Sequence, residues 1–357
     1  PMKLFYALII LALPLQFLAQ ENPKAKEIGE AIKLMDAGQF ADSRLKLEEV
    51  LNEDPNNYDA WYEFAYSYYL QKDYKKAEEI MRKQTEHPQA TDQLWQMIGN
   101  AIDFQGNPEG AIAAYAEGLK KFPNSGRLYV ETGNIYLIQK NIPQAIQSYE
   151  KGIEMAPEFS SNYYRLAKIY CDSEDELWGL IYGELFMNLE RNTKRTREMS
   201  ALLYQTYQKA LVFDKGTISV SFAKSMSPFS MEFEMQMGMA ATKYLMNNKK
   251  VDLDVQTLLE LRQAFLTNWQ AAPKAAPYKV VLFDFWQQLN DVGFIEPYTY
   301  WLFNMAPDNQ FEKWHKKHES DFTFFTKWYN PNPIQITAEN YFSKQKVGNG
   351  SVIELGD

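Results

Sequence analysis

Residues 92–125 read DQLWQMIGNAIDFQGNPEGAIAAYAEGLKKFPNS, and residues 126–159 read GRLYVETGNIYLIQKNIPQAIQSYEKGIEMAPEF. The two stretches align without a gap, so aromatic, small and proline positions recur 34 residues apart. The matched pairs are Trp95 with Tyr129, Gly99 with Gly133, Ala111 with Ala145, Tyr115 with Tyr149, and Pro123 with Pro157. In each stretch a turn sequence separates two segments with helical apolar spacing. The pattern predicts a repeated pair of helices, in which small residues allow close approach and large residues fill the space between neighbours.

The same frame extends in both directions along the chain. Trp61 and Tyr163 continue the aromatic position, and Ala65 and Ala167 continue the small one. The predicted units are 24–57, 58–91, 92–125, 126–159 and a degenerate fifth unit, 160–193, which lacks the glycine turn and the closing proline. A single helical hairpin cannot bury its apolar face, so consecutive units are expected to stack on one continuous core.

This period and order of residues resemble the tetratricopeptide repeat family. The resemblance implies an all-α, helix-turn-helix solenoid that coils into a right-handed superhelix, with the first helices of the repeats lining a concave groove. Carried onto this sequence, the groove positions of the family give the candidate partner-binding residues Tyr62, Tyr66, Tyr69, Gln96, Asn100, Phe104, Arg127, Asn134, Tyr164 and Lys168. The same set of positions also includes Asp59, Leu70, Gln93, Asp103, Val130, Leu137, Ile138, Ser161, Cys171 and Asp172.

The candidate groove is aromatic and amide-rich. Asn100 and Asn134 occupy equivalent positions of adjacent repeats, and an amide that both donates and accepts suits the backbone of an extended peptide. Tyrosines add amphipathic contact area of the kind found in binding hot spots, although they could instead cover the edge of the core. Gln96 and Val130 stand where a lysine would be needed to hold a terminal carboxylate, so that type of recognition is not expected.

Residues 194–330 are predicted to form a helical C-terminal domain without repeats. Apolar spacing and breakers place helices at 196–212, 229–247, 254–271, 278–291, 295–304 and 308–329. Residues 216–223 read GTISVSFA and form the one strand candidate, for which the sequence shows no partner. After Pro331-Asn332-Pro333 the chain becomes polar, so residues 331–357 are expected to be a flexible tail.

Residues 1–20, PMKLFYALIILALPLQFLAQ, have the pattern of a secretory signal peptide, with one lysine followed by an apolar stretch. Cleavage is expected at Ala19 or Gln20. The apolar stretch is shorter than the ~20 residues of a membrane helix, and Pro14 interrupts it. No integral membrane span is therefore predicted after cleavage. Together with the family resemblance, the signal implies an exported protein in the periplasm or associated with the cell envelope.

Composition and motifs argue against several classes of function. Lys and Arg number 37 against 46 Asp and Glu, a net charge of −9, which disfavours a nucleic-acid binder. Glu312, His315 and His318 form the densest set of possible metal ligands on the predicted helix 308–329, but no second set faces them, so no metal centre is predicted. Soft ligands for copper occur at Met231, Met235, Met237 and Met239, although methionine is also a common core residue.

No cofactor is predicted, and the sequence contains no nucleophile, phosphate-loop or dinucleotide motif. The leading hypothesis is a non-enzymatic exported scaffold that binds a protein or an extended peptide segment of another envelope protein. The alternative is an envelope enzyme or small-ligand-binding protein in which the repeats dock a C-terminal domain rich in aromatic residues: Phe283, Phe285, Trp286, Tyr298, Tyr300 and Trp301. A third possibility is that the protein's own tail occupies the groove.

Overall fold

The computed structural model describes residues 22–214, 216–248 and 252–348, and in these residues the fold is all-α with one small sheet of two strands. The predicted signal peptide, residues 1–20, lies outside the described residues. The chain divides into two compact units, one ending at Ala90 and the other beginning at Thr91. We call their described parts the N-terminal unit (22–90) and the C-terminal unit (91–348).

The N-terminal unit contains two helical hairpins. Its helices are α1 (Ala25–Asp36), α2 (Phe40–Glu53), α3 (Tyr58–Leu70) and α4 (Tyr74–Arg82). The small residues Ala65 and Ala77 are fully buried, as are Ala31 and Leu47 of the first hairpin. The hairpins match the predicted units 24–57 and 58–91.

The C-terminal unit continues the repeats and adds a larger helical part. The repeat helices are α5 (Asp92–Phe104), α6 (Pro108–Lys121), α7 (Gly126–Ile138), α8 (Ile142–Met155), α9 (Ser160–Cys171) and α10 (Glu176–Leu189). Side chains of Thr91, Asn107, Ser125 and Asn141 accept backbone N–H groups at the starts of α5 to α8. Such caps satisfy donors that the first turn of a helix leaves unpaired. No side-chain cap is present at the starts of α9 and α10, in keeping with a degenerate fifth unit.

The glycines of the repeat lie where paired helices touch. A Cβ atom on Gly133 would lie 2.4 Å from Cε1 of Tyr149, and one on Gly99 would lie 2.0 Å from Cε1 of Tyr115. The rings of Tyr115 and Tyr149 are buried and occupy the space that the missing side chains leave open. The predicted pairing of small and large residues between the two helices of a repeat is confirmed.

The remaining elements follow the fifth hairpin. They are α11 (Lys194–Ala210), β1 (Leu211–Asp214), β2 (Thr217–Val220), α12 (Pro228–Asn247), α13 (Val255–Ala271), α14 (Val281–Asp291), α15 (Ile295–Leu302), a 3-10 turn (Pro307–Asn309), α16 (Gln310–His315), α17 (Glu319–Tyr329) and α18 (Lys344–Gly348). Four of the predicted helices, at 229–247, 254–271, 278–291 and 295–304, therefore have observed counterparts in α12 to α15.

The strand predicted at 216–223 has a partner that the sequence analysis missed. Leu211–Asp214 pairs antiparallel with Thr217–Val220. The prediction that helix 196–212 includes Leu211 is wrong, because α11 ends at Ala210 and the backbone then becomes extended. Glu234 Oε1 accepts the N–H groups of Phe222 and Ala223 at 2.6 and 2.8 Å, which ties the end of the hairpin to α12.

The prediction of a single helix at 308–329 is also wrong. The chain breaks it into α16 and α17, and His318 lies at the start of the second helix. The ring of His315 stacks on Phe311 at 5.5 Å, whereas the ring of His318 stacks on Trp314 at 4.8 Å. These aromatic contacts direct the two imidazoles to different neighbours, and the two histidines do not lie on one continuous helix.

The prediction of a flexible tail is wrong for residues 331–348. Ile334, Ile336 and Phe342 are buried, and Phe342 stacks on Trp178 with ring centroids 5.9 Å apart. Lys344 N donates to the Tyr182 hydroxyl at 2.8 Å. Three apolar side chains spaced irregularly through a polar segment give no periodic signal, but each fills a gap in the core.

The compact units do not follow the predicted domain boundary at 193/194. Helix α10 belongs to the fifth repeat, yet thirteen of its fourteen residues are buried. A helix that is buried on all sides must be enclosed by neighbours, and here these include helices beyond residue 194. The fifth repeat and the C-terminal helices therefore share one core.

Candidate partner-binding faces

The first helix of the second repeat presents an aromatic face. Tyr62, Tyr66 and Tyr69 lie on α3 and are partly exposed. The rings of Tyr66 and Tyr69 stack with centroids 6.1 Å apart, and the Tyr74 ring meets the Tyr69 ring edge-on at 5.3 Å. Ring–ring packing restricts these side chains, so less conformational entropy would be lost on binding.

Glu63 lies on the same helix in an unfavourable environment for a charge. Burial, together with the nearby carboxylates of Asp59 and Asp36, raises its pKa to about 7 from an ordinary value of 4.5. Between these two values the folded state binds more protons than the unfolded state. The N-terminal unit is therefore expected to lose stability as the pH rises through this range.

Replacing Glu63 with glutamine should remove this pH dependence. We expect the Glu63→Gln variant to increase hydrogen-exchange protection of α3 at pH 8, where the wild-type carboxylate is charged, and to change it little at pH 4.5. Hydrogen–deuterium exchange of the full chain, followed on peptides from α3, measures this protection at both pH values. Glu48→Gln, on the exposed surface of α2, is the control. An equal gain at both pH values would contradict the assignment.

In the C-terminal unit, polar side chains link the first helices α5 and α7. Gln96 donates from Nε2 to Glu131 Oε1 at 2.6 Å and accepts at Oε1 from Arg127 Nη1 at 3.0 Å. Asn134 Nδ2 donates to Glu131 Oε2 at 3.1 Å. The structure thus brings Gln96, Arg127 and Asn134 together around Glu131, which was not among the predicted groove residues.

Asn100 and Asn134 also have a role inside their own hairpins. The Tyr115 hydroxyl donates to Asn100 Oδ1 at 2.5 Å, and the Tyr149 hydroxyl donates to Asn134 Oδ1 at 3.0 Å. An alanine at either position would leave a tyrosine hydroxyl without this acceptor, at a cost to stability. Alanine substitution of these asparagines would therefore test folding as well as binding.

The predicted residues on α9 interact with α11. The Tyr164 hydroxyl donates to Glu198 Oε2 at 2.8 Å, and Lys168 Nζ donates to Glu198 Oε1 at 2.8 Å. The guanidinium of Arg195 lies 4.9 Å from the centroid of the Tyr164 ring. Tyr164 is buried and packs between the helices, whereas Lys168 is exposed. The face formed by first helices thus extends to α11, beyond the predicted array.

One apolar position of the repeat is exposed in three consecutive units. Leu70, Phe104 and Ile138 are 34 residues apart at the ends of α3, α5 and α7. Their exposed fractions are 40%, 59% and 76%. The equivalent residue of the fifth unit is Asp172, so the apolar residue does not recur there. Phe104 and Ile138, both in the C-terminal unit, form an exposed apolar row, and such side chains are typical of interaction surfaces.

A buried polar network centred on Glu184 of α10 was not predicted from the sequence. Arg262 donates from Nη1 and Nη2 to the two carboxylate oxygens of Glu184 at 2.8 and 3.0 Å. Trp286 Nε1 and the Tyr298 hydroxyl donate to the same Oε1 at 2.5 and 2.8 Å. A carboxylate inside an apolar helix was the only sequence signal for this network. Because all of its donors come from helices after residue 194, the network holds the fifth repeat to the C-terminal helices.

The aromatic residues of the alternative hypothesis form the core. All six of them (Phe283, Phe285, Trp286, Tyr298, Tyr300 and Trp301) are buried. The rings of Phe283 and Trp286 stack at 4.9 Å, and those of Tyr298 and Trp301 lie 5.6 Å apart. A cavity of about 660 Å³ in the same unit is lined instead by residues such as Tyr204, Asp254 and Asp308. The density of aromatics is thus explained by packing.

The Cys171 thiol and the possible metal ligands are the remaining groups that could take part in chemistry. Burial raises the pKa of the Cys171 thiol to about 11, which suppresses the reactive thiolate. Within the ranges 22–214, 216–248 and 252–348, no group of three or more His, Cys, Asp or Glu side chains could hold a metal ion.

The comparisons with known proteins concern the repeats. Two models of the tetratricopeptide repeat match residues 34–100 and 97–158. No curated protein sequence matches the chain significantly. Repeats of this family are scaffolds for protein–protein interaction and are typically not enzymes.

Among solved structures, PilF of Pseudomonas aeruginosa is 18% identical, with 52% of this chain and 82% of that chain covered and a TM-score of 0.41. The C-terminal part of a TPR repeat-containing protein from Cytophaga hutchinsonii is 12% identical, with 79% and 96% covered and a TM-score of 0.41. YrrB, described as a TPR protein with an unusual peptide-binding site, is 15% identical, with 48% and 88% covered and a TM-score of 0.33. The matched models and the helical hairpins identify residues 34–158 as tetratricopeptide repeats, which a helical C-terminal half follows.

Proposed function

We propose that the protein is a non-enzymatic, exported scaffold that binds an extended peptide segment of another envelope protein on the first helices of its repeats. The observation that carries the proposal is the exposed apolar row formed by Phe104 and Ile138 in the C-terminal unit. A soluble protein gains by covering such side chains, and each large apolar side chain fully buried contributes ~1.5–3 kcal/mol.

Polar groups on the same two helices, α5 and α7, would supply orientation. In the C-terminal unit, Gln96 bridges Arg127 and Glu131, so opposite charges and an amide lie on one face. Apolar anchors flanked by such groups resemble the core and rim of protein interfaces. A peptide can meet the row with apolar side chains and the bridge with its backbone amides.

Export is proposed from residues 1–20, whose lysine and apolar stretch follow the pattern of a signal peptide. Among the helices that the structure describes, none is long and apolar enough to cross a membrane. An envelope partner in the periplasm fits both the proposed export and an interaction scaffold.

The protein's own segment 331–348 does not compete for this face. Gln345 N donates to Glu150 Oε2 at 2.7 Å, and Lys344 N donates to the Tyr182 hydroxyl. Glu150 and Tyr182 lie on α8 and α10, which are second helices of their repeats. The segment therefore packs away from the residues of the proposed binding row.

The test removes the apolar row while preserving the fold. We expect the double variant Phe104→Ser/Ile138→Ser to capture its partner at least tenfold more weakly than the wild type, because two exposed anchors are lost. Tagged mature protein is used to purify partners from an envelope extract of the source cell, and mass spectrometry quantifies each captured protein. Titration of the leading partner then gives the affinity.

The matched control is Phe324→Ser, because Phe324 is 61% exposed on α17, outside the repeats. Circular dichroism checks that all variants are folded. Equal capture by the wild type and the folded double variant would place the binding site elsewhere.

A further inference from the structure

A cavity lies between helix α12 and the C-terminal end of α13. Its volume is about 410 Å³, which is within the range of ~300–1,000 Å³ typical of small-molecule pockets. The part of its lining that comes from α12 consists of residues three and four apart, which share one face of a helix: Glu232, Met235, Gln236 and Met239. The rest of the lining comes from Asn268 and residues 271–274.

The most deeply buried residues of this lining are polar. Glu232 and Gln236 are each 4% exposed. Glu232 Oε1 accepts from Gln236 Nε2 at 2.7 Å, and Asn268 Nδ2 donates to the backbone oxygen of Gln236 at 3.1 Å. In the part of the chain that the structure describes, Glu232 Oε2, Gln236 Oε1 and Asn268 Oδ1 accept no hydrogen bond. The cavity therefore offers a group of oxygen acceptors to a ligand that donates.

Two opposite charges line the cavity without forming an ion pair. A carboxylate as buried as that of Glu232 normally has a cationic partner, because water cannot solvate it. Among the described residues, however, neither Glu232 nor the exposed Lys274 belongs to an ion pair. A ligand that carries both an ammonium and a carboxylate group can pair with both side chains at once.

An ammonium group also matches the other polar atoms of the cavity. It has three N–H donors and no acceptor, so it can donate to Glu232 Oε2 and to the amide oxygens beside it. The cavity reaches the last turn of α13, which ends at Ala271. The C-terminal end of a helix carries a partial negative charge that favours cations.

We propose that this cavity binds a free α-amino acid with an apolar side chain. Glu232 pairs with the ammonium group of the ligand, and Lys274 pairs with its carboxylate. Met235 and Met239 cover its apolar side chain, a role that suits the flexible and polarizable methionine side chain. The site goes beyond the proposed scaffold function and does not depend on the repeats.

Isothermal titration calorimetry of the full mature chain with L-leucine, L-methionine and L-phenylalanine tests the site. We expect one equivalent of at least one of them to bind. For the tightest ligand, the corresponding amine lacks the carboxylate and the corresponding carboxylic acid lacks the ammonium group. The acid should bind at least tenfold more weakly than the amino acid, because it leaves Glu232 unpaired and adds a second negative charge.

Two variants separate the roles of the opposite charges. Glu232→Gln keeps the shape of the side chain and an acceptor for Gln236, and should weaken binding of the amino acid at least tenfold. Lys274→Gln should weaken binding of the amino acid but not of the amine, which has no carboxylate to pair with it. The matched control is Lys279→Gln, because Lys279 is an exposed lysine that lies close in sequence and outside the cavity lining.

A third variant blocks the cavity without changing a buried residue. Met239 is 55% exposed, so Met239→Trp can fill the cavity from its edge while the core stays as it is, and it should abolish binding. Circular dichroism checks the fold of each variant. No binding of any of the three amino acids by the wild type would overturn the proposal, as would unchanged binding by folded Glu232→Gln or Met239→Trp. Stronger binding of the amino acid by Lys274→Gln would overturn the role of Lys274.

Discussion

Arg262→Met is expected to lower the free energy of unfolding of the C-terminal unit by about 3–5 kcal/mol, because it leaves the Glu184 carboxylate buried without its counter-charge. Arg262 and Glu184 are 3% and 2% exposed, and they form a bidentate ion pair. The remaining donors to Glu184, from Trp286 and Tyr298, are neutral and cannot balance the charge. Urea unfolding followed by circular dichroism measures the loss.

A double-variant cycle identifies the cause of this loss. Combining Arg262→Met with Glu184→Gln should recover part of the stability, because the pair is then uncharged on both sides. The matched control is Lys224→Met, which breaks an ion pair with Glu174 whose side chains are both 70% exposed. An exposed pair contributes about 0–1 kcal/mol. A loss as small as the control's in Arg262→Met would show that the buried pair does not hold this unit together.

Gly133→Leu is expected to destabilise the C-terminal unit by ~1–3 kcal/mol or more, because it overpacks the crossing of α7 and α8. Even a Cβ atom at Gly133 would lie 2.4 Å from the Tyr149 ring, and a leucine adds three more carbons. The ring is fully buried, so it cannot move aside into solvent. The melting temperature of the full chain measures the effect.

Gly238→Ala is the matched control, because Gly238 lies inside α12 and an added Cβ would meet nothing within 4 Å. Alanine is the better helix former by about 0.8–1 kcal/mol, so this variant should be as stable as the wild type or more stable. An unchanged melting temperature in Gly133→Leu would mean that the helices do not cross at this glycine.

The repeat part of the fold could be predicted from the sequence because its information is local and repeated. Gly133 and Tyr149 belong to one 34-residue unit, and the same pair recurs as Gly99 and Tyr115. Contacts within a hairpin recur whenever the residues recur, so the helices and their close approach follow from the spacing alone. The equivalence of Phe104 and Ile138 could also be predicted from the sequence, since both residues occupy the same position of the 34-residue repeat.

The C-terminal half has no repeat to supply such information. Leu211 continues the apolar stripe of α11 in the sequence, yet in the structure it starts a strand, because residues 217–220 provide a hydrogen-bonding partner. The chain also breaks between α16 and α17, although the apolar spacing of residues 308–329 continues across the break. The spacing of apolar residues within one segment did not reveal either the strand pairing or this break.

The amino-acid sequence by itself determined the repeat period, the helical hairpins of residues 24–159 and the resemblance of these repeats to the tetratricopeptide family. Only the tertiary structure decided which polar residues lie inside and which apolar residues lie outside. Glu184 is buried because Arg262, 78 residues away, neutralises it, and Met231 is exposed although methionine usually packs in cores. The physical reason is that burial is a property of the whole packed chain: a charge can enter the core only where distant donors meet it, and a local pattern records neither the donors nor the surface left uncovered.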